Sequence, residues 1–311
     1  MDVEALIAGV LAGERRAVAR AISAVEDGAP ELAAISGGIY ARTGAAATIG
    51  LTGAPGVGKS TLAGELVRAA RAGGRTVAVL AVDPTSPYTG GALLGDRVRM
   101  QEHATDEGVF IRSMATRGHL GGMALAAPEA VRILDAAGYD LVIVETVGVG
   151  QAEVDVAAAT DTALVVLAPG LGDAVQMAKA GILEVADVFV VNKADRDGAG
   201  EVVRELRQML RLGPSRAWAP PVLSTAALER QGIDELWAAV DDHRAHLADS
   251  GDLEAKRRAR LLREVESLAA ERFRLRAAAT LEADARLVED LAARRIDPYA
   301  AADRLTDGSP A

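Results

Sequence analysis

The sequence predicts an α/β fold: a doubly wound, mainly parallel sheet with helices added before and after it. Three observations carry that prediction. Short apolar runs alternate with segments of helical spacing across residues 45–248. The runs are apolar on both sides, as expected of strands covered by helices on two faces. The first run ends in a glycine-rich turn that opens directly into an amphipathic helix.

The elements follow in order. Leu6, Val10, Leu11, Val18, Ile22 and Val25 recur at helical spacing and predict one helix over residues 3–27, closed by Gly28 and Pro30. A second short helical stretch leads to Gly37 and Gly38, so residues 1–44 read as an N-terminal helical extension. Strands are expected at Ala47–Leu51, Thr76–Val82, Val109–Ser113, Leu141–Val144, Thr162–Leu167, Val188–Val191 and Pro221–Leu223. After Ser250 and Gly251 the pattern is helical to the end, so 249–311 read as a C-terminal arm. Its stripe of Leu261, Val265 and Leu268 either packs on its own domain or faces a second subunit. Residues 306–311 read as a frayed tail.

Composition excludes several classes of function. The chain has 311 residues, 50% hydrophobic and 25% charged, enough to bury a core. Its net charge of -10 argues against general nucleic-acid binding, which needs a basic surface. The absence of cysteine removes disulfides, thiolate metal sites and cysteine nucleophiles together. No basic head precedes an apolar stretch, and no apolar run reaches the roughly 18–20 residues of a membrane span. A cytoplasmic protein, off the membrane, is the expectation. There are 30 arginines but only four lysines, Lys59, Lys179, Lys193 and Lys256. With such a bias towards arginine, each lysine is informative.

The segment Gly53-Ala54-Pro55-Gly56-Val57-Gly58-Lys59-Ser60 matches GxxxxGK[ST] at every fixed position, with Thr61 following. A strand precedes it and a helix follows, as a phosphate-binding P-loop requires. Glycines let the backbone curl so that N–H groups face the phosphates, and the helix N-terminus adds partial positive charge. Lys59 is expected to reach the β and γ phosphates, and the Ser60 hydroxyl to ligate Mg2+.

Tyr139–Glu145 is an apolar strand ending in a carboxylate, with Gly148 three residues on. That places Glu145 at the ligand edge of the sheet, positioned to hold the metal or its water. Gly148 would sense the γ-phosphate through its N–H. Glu here, where most GTPases use Asp, narrows the subfamily. Asp83 and Asp96 could also approach the metal; alternatively Asp83 is a turn residue before Pro84 and Asp96 a helix cap.

Asn192-Lys193-Ala194-Asp195 follows the strand Val188–Val191. NKxD at a strand end reads guanine: the Asp195 carboxylate accepts from N1–H and the exocyclic amine, the Lys193 stem covers the base, and Asn192 ties loops together. Thr225, Ala226 and Ala227 occupy the place of the second base-contacting loop. A serine usually stands at the Ala226 position, so some loop rigidity is expected to be lost. The bound nucleotide is therefore expected to be GTP or GDP with Mg2+, and the chain a GTP hydrolase.

The chain resembles the MeaB/ArgK-type G-protein chaperones of adenosylcobalamin-dependent acyl-CoA mutases over nearly its whole length. The resemblance is carried by GAPGVGKST (Gly53–Thr61), VDPTSPYTGGALLGDRVRM (Val82–Met100), FIRSMATRGHLGG (Phe110–Gly122), ETVGVGQAE (Glu145–Glu153), Gln176 with Lys179, and NKAD. It implies a homodimer formed through the C-terminal arm and a mutase partner that carries the cobalamin, which is not expected on this chain. GTP would gate loading of that cofactor and removal of damaged cofactor. It also implies mobile segments at Asp83 to Asp96, Glu145 to Glu153 and Gly170 to Lys179, with Lys179 supporting hydrolysis when the partner engages. Ala152 stands where the family often has serine. No glutamine sits beside Gly148 to orient water, since Gln151 is three residues away. Slow intrinsic hydrolysis, accelerated by the partner, is expected, with Arg112 and Arg117 as candidate charge suppliers.

Three other readings compete. A metal-insertion GTPase of the nickel-chaperone type would need Cys or His ligands, and the chain has four scattered histidines, at 103, 119, 243 and 246. A transport-system kinase would need an acceptor base beside the γ-phosphate. A binder that holds GTP without hydrolysing it would release no phosphate.

Overall fold

The structure, a computed structural model, describes residues 2–84, 101–103, 105–116, 122–146, 156, 158–170, 185–213 and 216–307. A seven-stranded sheet forms its centre: β1 (Ala47–Thr52), β2 (Val77–Pro84), β3 (Val109–Thr116), β4 (Leu141–Thr146), β5 (Thr162–Leu167), β6 (Val188–Asn192) and β7 (Val222–Thr225). Their order is β3-β2-β4-β1-β5-β6-β7, and every pairing is parallel. Each apolar run of the sequence is one of these strands. The carboxyl ends of all seven point to one edge, where open parallel sheets bind ligands.

Both faces of the sheet are covered because alternate residues of one strand feed opposite cores. In β4, Val142 and Val144 pack with α1 (Val3–Leu11), α2 (Arg15–Glu26), α3 (Leu32–Ile39) and α5 (Gly122–Ala136). Leu141 and Ile143 of the same strand pack with α4 (Lys59–Ala72) and α7 (Ile233–Ser250). A third cluster joins Val165, Phe189 and Val191 to Leu206 of α6 (Ala199–Leu212).

The single helix expected over residues 3–27 is two helices. Gly13 takes a φ of 72°, and the N–H groups of Ala12 and Gly13 close back on Ala8 and Val10. A positive φ is cheap only for glycine, so the break falls there. Hydrophobic spacing continues across the break, which is why periodicity alone does not show it.

Two compact units divide the chain, Met1–Arg260 and Leu261–Ala311. The first contains α1–α3, the sheet and the start of α8 (Asp252–Ala283). The second holds the rest of α8, α9 (Ala285–Ala292) and α10 (Pro298–Asp307), with Leu287 and Ala301 buried. Asp284 caps α9 by accepting from the Leu287 N–H at 2.9 Å. Leu262, Val265 and Leu275 of α8 are more than half exposed. Among the described residues no helix is long and apolar enough to cross a membrane.

The first turns of α8 are clamped under the amino ends of β5 and β6. Buried Asp161 accepts from Arg257 at 2.6 Å and Arg260 at 2.8 Å. Lys256, the lysine outside every motif, donates to the Asp161 carbonyl at 2.7 Å and the Asp187 carboxylate at 3.0 Å. Burial pushes the Asp161 pKa up, but the two guanidiniums outweigh it and hold the carboxyl below its usual range. Beside this clamp His243 is buried, its Nδ1 2.9 Å from Thr162 Oγ1 and its Nε2 3.4 Å from Asp187.

Burial pushes the His243 imidazole below its ordinary pKa; Lys256 and His246 act in the same direction, Asp187 and Asp161 against it. The unfolded chain then takes up the proton first as pH falls. Stability is complete above about pH 6.5 and is lost below it, until the folded imidazole also protonates. The thermal midpoint should therefore drop between about pH 7.5 and about pH 5.5, and His243→Asn should flatten that slope. Equal slopes in parent and variant would assign the acid sensitivity to another group.

Candidate functional site

The carboxyl ends of β1, β4, β6 and β7 bring four sequence segments together. β1 is buried along its whole length and releases the chain into residues 53–58, after which α4 begins at Lys59. Gly58 caps α4 with a φ of 98°. A Cβ there would lie 2.4 Å from Asn192 Nδ2, so glycine is required both for the turn and for the approach of the next loop. Around Gly56 a Cβ would meet nothing within 4 Å, so the loop presents an open face.

Lys59 and Ser60 are buried at the start of α4. The Lys59 ammonium donates to the carbonyls of Gly53 at 2.6 Å and Ala54 at 3.1 Å, which draws it along the loop. The Ser60 hydroxyl donates to Glu145 Oε1 at 2.6 Å. Glu145 is 2% exposed at the end of β4, and β4 pairs directly with β1. Hydroxyl and carboxylate are hard oxygen donors of the kind Mg2+ takes, and one strand pairing brings them together. The residues fit that ion. Among the described residues no group of three or more His, Asp and Glu side chains gathers as a metal site.

On the other side of β1, Asn192 ends β6 and is buried. Its Nδ2 donates to the Val57 carbonyl at 2.9 Å. Its Oδ1 accepts from Thr225 Oγ1 at 3.1 Å and from the Ala227 N–H at 3.2 Å. One amide thus binds the phosphate loop to the loop after β7. Lys193 follows with a φ of 58° and its ammonium donates to the Gly56 carbonyl at 2.5 Å. The Ala194 N–H donates to the Thr225 carbonyl at 3.0 Å, and Asp195 stands exposed beyond it. Ala226 and Ala227 are buried, and Ala226 bridges to Gln231.

Of the residues expected at a nucleotide site, Gly53 to Thr61, Glu145, Asn192 to Asp195 and Thr225 to Ala227 lie together at the carboxyl edge of the sheet. Asp83 lies near the end of β2, in register with Ala115, while Ala81 of the same strand pairs with Glu145 of β4. Asp96, Arg117, Gly148 and Lys179 lie outside the described residues. Arg112 does not supply charge to the site. It sits within β3 and donates to Glu26 at 2.6 Å and to Ser23 at 2.9 Å, which ties α2 to the sheet. Glu65 of α4 and Arg230, which pair across the site's flank, belong to no motif.

A family model described as methylmalonyl Co-A mutase-associated GTPase MeaB matches residues 18–282. A Pyrococcus horikoshii protein named a candidate GTPase is 48% identical over 305 residues, 97% of this chain and 96% of its own length. GTPase ArgK of Escherichia coli is 42% identical over 255 residues, 79% of this chain and 77% of its own. A mitochondrial methylmalonic aciduria type A homolog of Caenorhabditis elegans is 35% identical over 279 residues, 82% of this chain and 69% of its own. Among solved structures, one titled LAO/AO transport system kinase superimposes with a TM-score of 0.73 at 30% identity, covering 98% of this chain and 96% of that one.

Gly58→Ala should be folded but deficient. The new methyl group displaces the Asn192 amide and forces a positive φ on alanine, a strain of about 1–3 kcal/mol. GDP affinity measured by titration calorimetry should fall at least about tenfold. Parent-like affinity would mean that the contact between Gly58 and Asn192 is not needed for binding.

Proposed function

The chain belongs to the MeaB family of methylmalonyl-CoA mutase-associated GTPases, and we propose that it binds and hydrolyses GTP as a G-protein chaperone that gates cobalamin loading on an acyl-CoA mutase and protects or repairs it. The observation that carries the nucleotide half of this reading is the convergence on one sheet edge of Lys59, Ser60 with Glu145, and Asn192 to Asp195. The family description and the mitochondrial relative support the mutase half.

In this reading the loop from Gly53 to Ser60 cradles the phosphates with its N–H groups at the head of α4. The Lys59 ammonium, already turned along the loop, neutralises charge on the β and γ phosphates. Ser60 and Glu145 would hold a magnesium ion, with Asp83 and Asp96 as its further carboxylates, and Gly148 would sense the γ-phosphate. When bound, Mg2+ would supply neutralisation of the phosphate charge. Asp195 accepts from the guanine N1–H and exocyclic amine, which adenine cannot match, while Lys193 covers the base. Thr225, Ala226 and Ala227 close the base from the opposite side.

Catalysis is then positioning and charge neutralisation, with no covalent step on the protein. Hydrolysis is slow until the mutase engages, and Lys179 completes the site at that moment. The mutase carries the cobalamin. The exposed apolar residues of α8, among them Leu262, Val265 and Leu275, support a homodimer formed through the C-terminal arm. The chain works in the cytoplasm and needs neither membrane nor nucleic acid.

Phosphate release from GTP should be slow for the purified protein and should rise when a methylmalonyl-CoA-type mutase is added. Lys59→Ala should abolish both rates. A rate indifferent to several such mutases would remove the partner from this reading; no release from GTP under any condition would remove the hydrolase.

A further inference from the structure

Glu65 lies six residues beyond Lys59 on the helix that heads the phosphate site. Its side chain is only 9% exposed and accepts from two arginines. Arg68 Nε donates to Oε2 at 2.7 Å, a pairing within the helix. Arg230 Nε donates to Oε1 at 3.3 Å from 165 positions away. A buried carboxylate needs such donors to offset its lost hydration.

Arg230 ends the short 3-10 turn Ala227–Glu229, which follows the base-contacting residues. Its φ is 60°, a backbone state that glycine takes far more readily than any residue with a side chain. A long cation at a position favouring glycine indicates that the side chain contributes something there. The turn is closed at its base by two hydrogen bonds between Ala226 and Gln231, at 3.1 and 3.2 Å. Asn192 holds its near end through Thr225 and Ala227. Arg230 holds its far end to α4. Ala226 has no hydroxyl with which to brace the turn from within.

We infer that the Glu65–Arg230 ion pair is the positioning brace of the base loop, locking the turn that closes on guanine to the helix that binds phosphate. The inference rests on the guanine site proposed above. Arg230 is 57% exposed, so the pair adds little to global stability. Its effect is on the ligand, because it joins two segments that must grip one nucleotide at once. A loosened turn lets the base shift against Asp195, and the contact to the exocyclic amine weakens first.

The test titrates GDP, IDP (which lacks the exocyclic amine) and ADP against the full chain and three variants. Glu65→Gln and Arg230→Gly should each bind GDP about threefold to tenfold more weakly, the range open to an ion pair with one buried partner. Both should narrow the preference for GDP over IDP, and Arg230→Lys should keep most of it. Arg230→Gly relieves the backbone while deleting the side chain, so it separates the two roles. Parent-like GDP affinity in Arg230→Gly, or weaker binding with the GDP-to-IDP ratio unchanged, overturns the brace. A parent that does not prefer GDP to ADP overturns the guanine site itself, and the brace with it.

Discussion

The side-chain amide of Asn192 joins three loops that leave three different strands. It donates to the Val57 carbonyl of the phosphate loop and accepts from Thr225 at the end of β7 and from Ala227 in the turn that follows. The amide is buried, so leaving any of these partners unmet would be costly. The rest of the site depends on this junction. Gly58 must be glycine because the amide lies where a methyl group would go. Lys193 and Asp195 take their places because Asn192 fixes the residue before them. The distance between the phosphate loop and the base loop is set by a single planar group with its two ends occupied.

The sheet divides chemistry from anchoring. Its carboxyl edge carries the loops that face a ligand. Its amino edge carries a different set of charges, with Asp161 and Asp187 held by Lys256, Arg257 and Arg260. These contacts root α8 beneath β5 and β6 and touch no residue of the nucleotide site. Buried ion pairs of this kind are weak sources of net stability but costly to break singly, which suits them to fixing where a helix begins. β5 runs from the clamp to the site edge, where it pairs with β1.

What the sequence made legible was local. Each strand was visible as its own apolar run, and the phosphate loop and Asn192–Asp195 are contiguous patterns whose chemistry follows from their spacing. What stayed hidden depends on residues far apart. Arg112 pairs with Glu26, 86 positions away, and no residue beside it in the sequence marks that partner. Glu65 and Arg230 are separated by 165 positions and neither has a neighbour that marks it. Lys256 stood out only as a lysine in an arginine-rich chain, and its anchoring partners became visible with the fold. The break at Gly13 was masked because the helical spacing survives it.

The most direct test of the junction is GDP affinity in Asn192→Ala, measured by titration calorimetry beside a circular dichroism melt. Three hydrogen bonds of about 1 kcal/mol each are lost, so affinity should fall about tenfold to a hundredfold while the sheet still melts cooperatively. A cooperatively folded variant that binds GDP as tightly as the parent would contradict the account, because the two loops would then hold their spacing without the amide.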